Sequence, residues 1–138
     1  IVSAVLVSAD KKILITKRAL QKLWSPGMWE IPGGGVKAGE SSLEAIYREI
    51  LEETNINLFD RDYKILNTQK RRTVEGNKYF ADIYCFEITK DDIKNIKGQE
   101  GEVSDYRLAS IEDIKETAKD NKFLRYEDLK DFFYKCIS

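Results

Sequence analysis

The tightest constraint on how this chain can fold is the run Trp29-Glu30-Ile31-Pro32-Gly33-Gly34-Gly35, followed a few residues later by a long amphipathic period. Pro32 offers no backbone donor, so it ends a strand or lies at a sheet edge, and three adjacent glycines permit an approach of backbones that a Cβ would block. From Ser41 onward the pattern becomes helical. Leu43, Ile46, Tyr47, Ile50, Leu51 and Thr54 recur on one face, Ser41 with Glu44 makes a capping-box signature, and Asn55 stands where helices often end in a left-handed residue. The chain must therefore pass from extended backbone through a glycine turn into a capped helix.

Strand patterns flank that helix. Residues 1–8 and 12–18 are rich in Val and Ile, and the Asp10-Lys11 turn between them predicts an antiparallel hairpin. Residues 63–69 and 78–89 read as further strands, with Gly76-Asn77 as turn chemistry and Phe80, Ile83, Cys85 and Ile88 as core positions. Residues 106–109 predict a short strand, Ser110 to Asp113 opens a helical turn, and 126–137 predicts a terminal amphipathic helix. Strands, helix, strands, helix is the order of an α/β (α+β) sandwich, helices packed on a mixed sheet, and 138 residues suit one domain spanning 1–138.

Composition removes whole classes of chemistry. There is no histidine, so Ser-His and Cys-His nucleophile pairs are excluded and catalysis must rest on carboxylates, lysine, tyrosine or a metal. The two cysteines, Cys85 and Cys136, form no CxxC pair and are expected to be reduced packing residues rather than zinc ligands. A net charge of -1 gives no global field for a nucleic-acid polymer or an anionic membrane. The apolar start at 1–7 is too short to span a bilayer and lacks signal-peptide flanks, so a cytoplasmic location is expected.

On the helical wheel Glu49, Glu52 and Glu53 share one stripe nearly opposite the apolar face. If that stripe is solvated the repulsion is small; in a partly dry cleft it rises to roughly 3 kcal/mol per pair at an effective dielectric near 20, and a cation becomes necessary. Grouped carboxylate oxygens beside a backbone carbonyl suit Mg²⁺, or Mn²⁺, which also bind substrate phosphates.

The whole segment from Gly34 through Glu40, Arg48-Glu49-Ile50, Glu52-Glu53 and Asn55-Ile56 closely resembles the Nudix box of MutT-like pyrophosphohydrolases, and Trp29 with Pro32-Gly33-Gly34 resembles the run that precedes it. Asn55 is the one departure, standing where the family has glycine. Asparagine is the residue next best suited to a positive φ, so the loop is expected to survive. The resemblance implies a Nudix-type fold in which Glu49, Glu52, Glu53 and the Gly34 carbonyl hold metal. It also implies that Arg48 fixes the carboxylates by charge-assisted bonds and that Glu40 anchors the loop before the helix. Glu49, Glu53, Glu100 and Glu102 remain open as general base, with Glu102 first among the loop residues.

Arg18, Lys37 and Trp29 are the expected substrate contacts, with Lys17 and the Lys70-Arg71-Arg72 run as further cations, Trp24, Tyr79 and Phe80 as stacking surfaces and Asn121 as a reader of a purine edge. The implied partner is a small-molecule nucleotide and the implied activity is hydrolysis of a pyrophosphate bond, first in a nucleoside triphosphate. The alternatives are an ADP-ribose, nucleotide-sugar or dinucleoside polyphosphate pyrophosphatase, a non-catalytic nucleotide sensor, and a structural module whose acidic stripe is merely solvated.

Overall fold

The computed structural model describes residues 1–72 and 78–138, the side chains of 67–81 excepted. Its strands are β1 (Val2–Val7), β2 (Ile13–Arg18), β3 (Trp29–Glu30), β4 (Gly33–Gly34), β5 (Lys64–Arg72), β6 (Lys78–Glu87) and β7 (Val103–Ala109); its helices are α1 (Ser42–Thr54), α2 (Lys90–Lys94), α3 (Ile111–Lys119) and α4 (Tyr126–Ile137). The sheet runs β3-β2-β1-β6-β5, with β4 added on β1 and β7 on β2. It is mixed, because β1 and β6 are parallel over Val2–Val7 while every other strand pairing among the described residues is antiparallel.

Alternation along the central strands splits the core in two. Val2, Ala4 and Leu6 of β1, Leu14 of β2 and Tyr84 and Phe86 of β6 face one way and pack on Ala45, Ile46 and Ile50 of α1. Val5, Val7, Ile13, Ile15, Ile83 and Cys85 face the other way and pack on Ile111 and Ile114 of α3 and Leu129 and Phe133 of α4. A side chain period of two therefore buries both sheet faces and makes the α/β/α sandwich that the sequence order predicts.

The predicted hairpin forms: Ser8 N–H donates to Lys12 O at 2.8 Å and Lys11 takes the left-handed φ of 65° in the turn. Four boundaries or positions differ from expectation. Leu51, assigned to the apolar helix face, is half exposed, and the buried set of α1 is Ala45, Ile46, Ile50 and Thr54. The last strand starts at Val103 rather than at 106, since it pairs along the whole of β2. A short helix, α2, stands where the sequence pattern gives no helix, opened by a Thr89–Asp92 capping box. Finally, Cys85 and Cys136 are not separate packing residues: α4 returns over β6, brings their Cα atoms to 5.8 Å, and the two form a disulfide. Gly76-Asn77 and the Phe80, Tyr79 and Lys70-Arg71-Arg72 side chains lie outside the described residues. No helix of the described residues is long and apolar enough to cross a membrane.

Candidate active site

The site begins with the turn that precedes α1. A Cβ at Gly33 would overlap the Val2 carbonyl of β1, and one at Gly34 would fall 2.5 Å from the Glu49 carboxyl carbon. Both positions therefore need glycine, the first so that β4 can pair with β1 and the second so that the Glu49 carboxylate can lie against the backbone. The helix that carries Glu49 is fixed at both ends. Ser41 and Glu44 satisfy each other's backbone donors, and Asn55 closes the C-terminus at φ 68°, ψ 15°, the left-handed conformation expected of it.

Arg48 ties the loop to the helix. Its Nε donates to Glu40 Oε2 at 2.7 Å, its Nη2 to Glu40 Oε1 and Gly35 O at 2.9 Å each, and its Nη1 to Glu49 Oε1 at 2.8 Å, with Glu52 Oε2 at 3.6 Å. Glu40 also accepts the Lys37 N–H at 3.0 Å, and the Arg48 hydrogen bond is the main cause that pulls its carboxyl down to about 2. The planar guanidinium thus fills its fork with fixed acceptors and sets the orientation of Glu49.

The three helix carboxylates do not point alike. Glu49 lies over Gly34 in the grip of Arg48, Glu52 is the most exposed of them, and Glu53 turns inward to accept the Gly33 N–H at 3.1 Å. Burial pushes the Glu53 carboxyl up to about 8, and the charges of Glu30, Glu49 and Glu102 push the same way against the Gly33 hydrogen bond. No three acidic, cysteine or histidine side chains among the described residues already surround a single point as a finished metal cage. The donor set still fits a hard dication. Carboxylates crowded beside one buried member, next to a glycine backbone with no side chain in the way, are the oxygen ligands that Mg²⁺ or Mn²⁺ takes, and a positive charge would relieve the repulsion that raises Glu53.

These residues line one side of a cleft of about 920 Å³, the size of a nucleotide-binding pocket. The other side is basic. Arg18 donates to Glu30 at 3.2 Å and to the Trp24 carbonyl at 2.9 Å, and its guanidinium lies 5.0 Å from the Trp24 ring centre. Lys22 pairs with Glu102, and Lys17, Lys37 and Arg125 also line the cleft. Burial, the largest cause, raises the Glu30 carboxyl while Arg18 opposes it.

Of the expected site residues, the cleft brings together Lys17, Arg18, Trp24, Gly34, Lys37, Arg48, Glu49, Glu52, Glu53 and Glu102, with Glu40 behind them on Arg48. Glu100 is exposed on the turn and does not line it. Trp29 does not line it either: its side chain packs with the core under α3 and α4, because strand alternation sends Trp29 and Glu30 to opposite faces. Asn121 sits at φ 57° in the turn after α3, in a separate groove between α3 and α4. Glu30, Lys22 and Arg125 were missed. Glu30 was legible from that same alternation; the other two depend on contacts between distant segments.

A family model described as NUDIX domain matches residues 1–127. The chain belongs to the Nudix family. An RNA pyrophosphohydrolase of Pelagibacter ubique (strain HTCC1062) is 28% identical to this Nudix chain over 141 residues, covering 94% of it and 87% of the relative. The m7GpppN-mRNA hydrolase NUDT17 of Danio rerio is 46% identical over 57 residues, which span 41% of this chain and only 19% of that protein. The crystal structure of the MutT protein from Methanosarcina mazei Go1 superposes with a TM-score of 0.73 at 24% identity, covering 98% of this chain and 89% of the other, and shows that the fold is shared. The reading of the box as that of a Nudix hydrolase stands on these matches.

Proposed function

We propose that residues 1–138 form one Nudix domain that hydrolyses the pyrophosphate bond of a nucleoside triphosphate with Mg²⁺ or Mn²⁺ bound at α1. The observation that carries this is the arrangement of Glu49 and Glu53: one carboxylate clamped over Gly34 by Arg48, the other buried beside it and crowded by two further acids, Glu30 and Glu102. A solvated acidic face would not bury Glu53 or spend an arginine on fixing Glu49.

Glu49, Glu52, Glu53 and the Gly34 carbonyl would hold the metal, whose chemistry is to neutralise phosphate charge and acidify a bound water. The protein's own groups do the rest. Arg18 and Lys37 hold phosphate oxygens on the basic wall, and Arg48 keeps Glu49 from turning away. A water oxygen forms a bond to phosphorus, the bond from that phosphorus to the bridging oxygen breaks, and the bridging oxygen departs with the leaving phosphates. With the metal's charge favouring its carboxylate form, Glu53, held at the Gly33 N–H, would take the proton of the attacking water. Glu102 is engaged by Lys22 and is second in line.

A second reading has support from the relatives named RNA pyrophosphohydrolase. The Pelagibacter protein, matched over nearly its whole length, is named an RNA pyrophosphohydrolase, and in this reading the pyrophosphate bond that the chain cleaves belongs to an RNA. The deciding experiment is a panel of nucleoside triphosphates, a 5′-triphosphate RNA oligonucleotide and ADP-ribose, each with Mg²⁺, Mn²⁺ or EDTA, beside Glu53→Gln. Release of pyrophosphate from the free nucleotides, lost in EDTA and reduced about a hundredfold or more in the variant, supports the first reading. Turnover confined to the RNA end supports the second, turnover of ADP-ribose alone overturns both, and nucleotide binding without any turnover makes the domain a sensor.

A further inference from the structure

Helices α1, α2 and α3 each open on a Ser or Thr whose side chain accepts a backbone N–H of the first turn: Ser41, Thr89 and Ser110. Helix α4 opens on Arg125, which makes no such bond and holds φ 59°, ψ 29°. A long side chain on left-handed backbone is disfavoured, and an N-cap without a polar side chain weakens its helix. Local helix energetics therefore do not account for an arginine at this position.

Its placement does. Trp29 N–H donates to Lys122 O at 2.8 Å and Leu124 N–H donates to Trp29 O at 2.9 Å, so residues 122–124 are laced to β3, with Phe123 buried between them. The next residue is thereby delivered beside Glu30, and the Arg125 side chain lines the cleft, donating from Nη2 to Ser3 Oγ at 3.3 Å. Arg18 and Arg125 both act on the Glu30 charge. With Arg18 paired to the half-buried Glu30 and Lys22 to Glu102, the Arg125 charge has no carboxylate partner among the described residues of this lining, and a guanidinium carries five N–H donors, of which the Ser3 bond uses one.

We propose that Arg125 is a substrate-positioning residue that grips the oxygens of phosphates not held at α1, so that the cleft selects a chain of three or more phosphates over a diphosphate that joins two sugars. This rests on the pyrophosphohydrolase reading above. A diphosphate is spanned by the metal site together with Arg18; a third phosphate needs further charge-assisted donors, and Arg125 supplies them in a fork geometry that matches phosphate oxygens.

The test uses the whole chain with Arg125→Gln, Arg125→Lys and Arg125→Gly. Binding of inorganic tripolyphosphate and of pyrophosphate is measured by calorimetry, and KM and kcat are measured with a purine triphosphate, a pyrimidine triphosphate and ADP-ribose. For Arg125→Gln, tripolyphosphate affinity falls and the KM for both triphosphates rises by about tenfold or more, with kcat, pyrophosphate affinity and ADP-ribose KM changed little; the lysine variant falls between. Arg125→Gly shows the same loss with an unchanged or higher Tm, since glycine suits the positive φ, whereas a purely structural arginine would lower Tm when removed. Unchanged affinities, an equal loss for ADP-ribose, or a loss confined to the purine triphosphate, which would make Arg125 a reader of the base, overturns the assignment. If the wild type hydrolyses nothing yet tripolyphosphate binding still depends on Arg125, the hydrolase reading fails and the phosphate assignment stands.

Discussion

Glu53→Gln removes a charge while keeping an oxygen that can accept the Gly33 N–H, so it isolates the electrostatic cost of the buried carboxylate. In the folded chain that carboxyl is raised from 4.5 to about 8, first by burial and then by the charges of Glu30, Glu49 and Glu102. The unfolded chain keeps the ordinary value. Between pH 4.5 and about 8 the folded state therefore holds a proton that the unfolded state has released, and this contribution to stability falls as pH rises through that window. The displacement, about 8 less 4.5, is about 3.5 units, which at about 1.36 kcal/mol per unit sets a ceiling near 5 kcal/mol. Rotation of the side chain toward the open cleft lowers that ceiling, so a gain of about 2 to 5 kcal/mol is expected for metal-free Glu53→Gln at pH 9, shrinking toward zero at pH 4.5. Urea denaturation in EDTA at several pH values measures it. Saturating Mg²⁺ should then stabilise the wild type at pH 9 and the variant much less. A variant no more stable than wild type at pH 9 without metal would refute the account of Glu53 as a charge held at a cost that a bound cation would relieve.

Gly34→Ala puts a methyl 2.5 Å from the Glu49 carboxyl, so turnover should collapse by about a hundredfold or more while the denaturation midpoint moves little, read by steady-state kinetics beside circular dichroism. Arg48→Lys keeps the charge but loses the fork that joins Glu40, Gly35 O and Glu49, and metal affinity measured by calorimetry should fall about ten- to a hundredfold. The Arg61 hydrogen bonds, at 2.5 and 2.7 Å, are the main cause that lowers the Asp92 pKa below 3.8. Asp92 therefore stabilises the fold above pH 3.8 and loses that contribution as pH falls below it, so Asp92→Asn should weaken the protein at pH 7 and flatten its acid-denaturation limb.

What the sequence made legible were the local devices. The capping box, the left-handed Asn55 and the glycine turn are all set by neighbours a few residues apart, and each is found as expected, whereas the helical period is found with Leu51 turned outward. The alternation that placed Ile83 and Cys85 in the core also fixes Glu30 in the cleft and Trp29 outside it; expecting a substrate contact from Trp29 gave weight to its aromatic ring over its strand parity. The remainder needed the third dimension. The Lys22 to Glu102 pair joins residues 80 apart, the Cys85 to Cys136 disulfide depends on how α4 folds back over β6, and Arg125 enters the cleft only because its approach is laced to Trp29.

Because α1 lies on one sheet face while the lacing of residues 122–124 to β3 belongs to the other, the two halves of the cleft answer to different hydrophobic clusters. Repacking beneath α4 would slide the phosphate-facing arginine without disturbing the carboxylates, and repacking beneath α1 would do the reverse. Selectivity and reactivity can therefore drift independently as such a domain evolves, and a designer could retune the first by editing only the terminal helix and its approach.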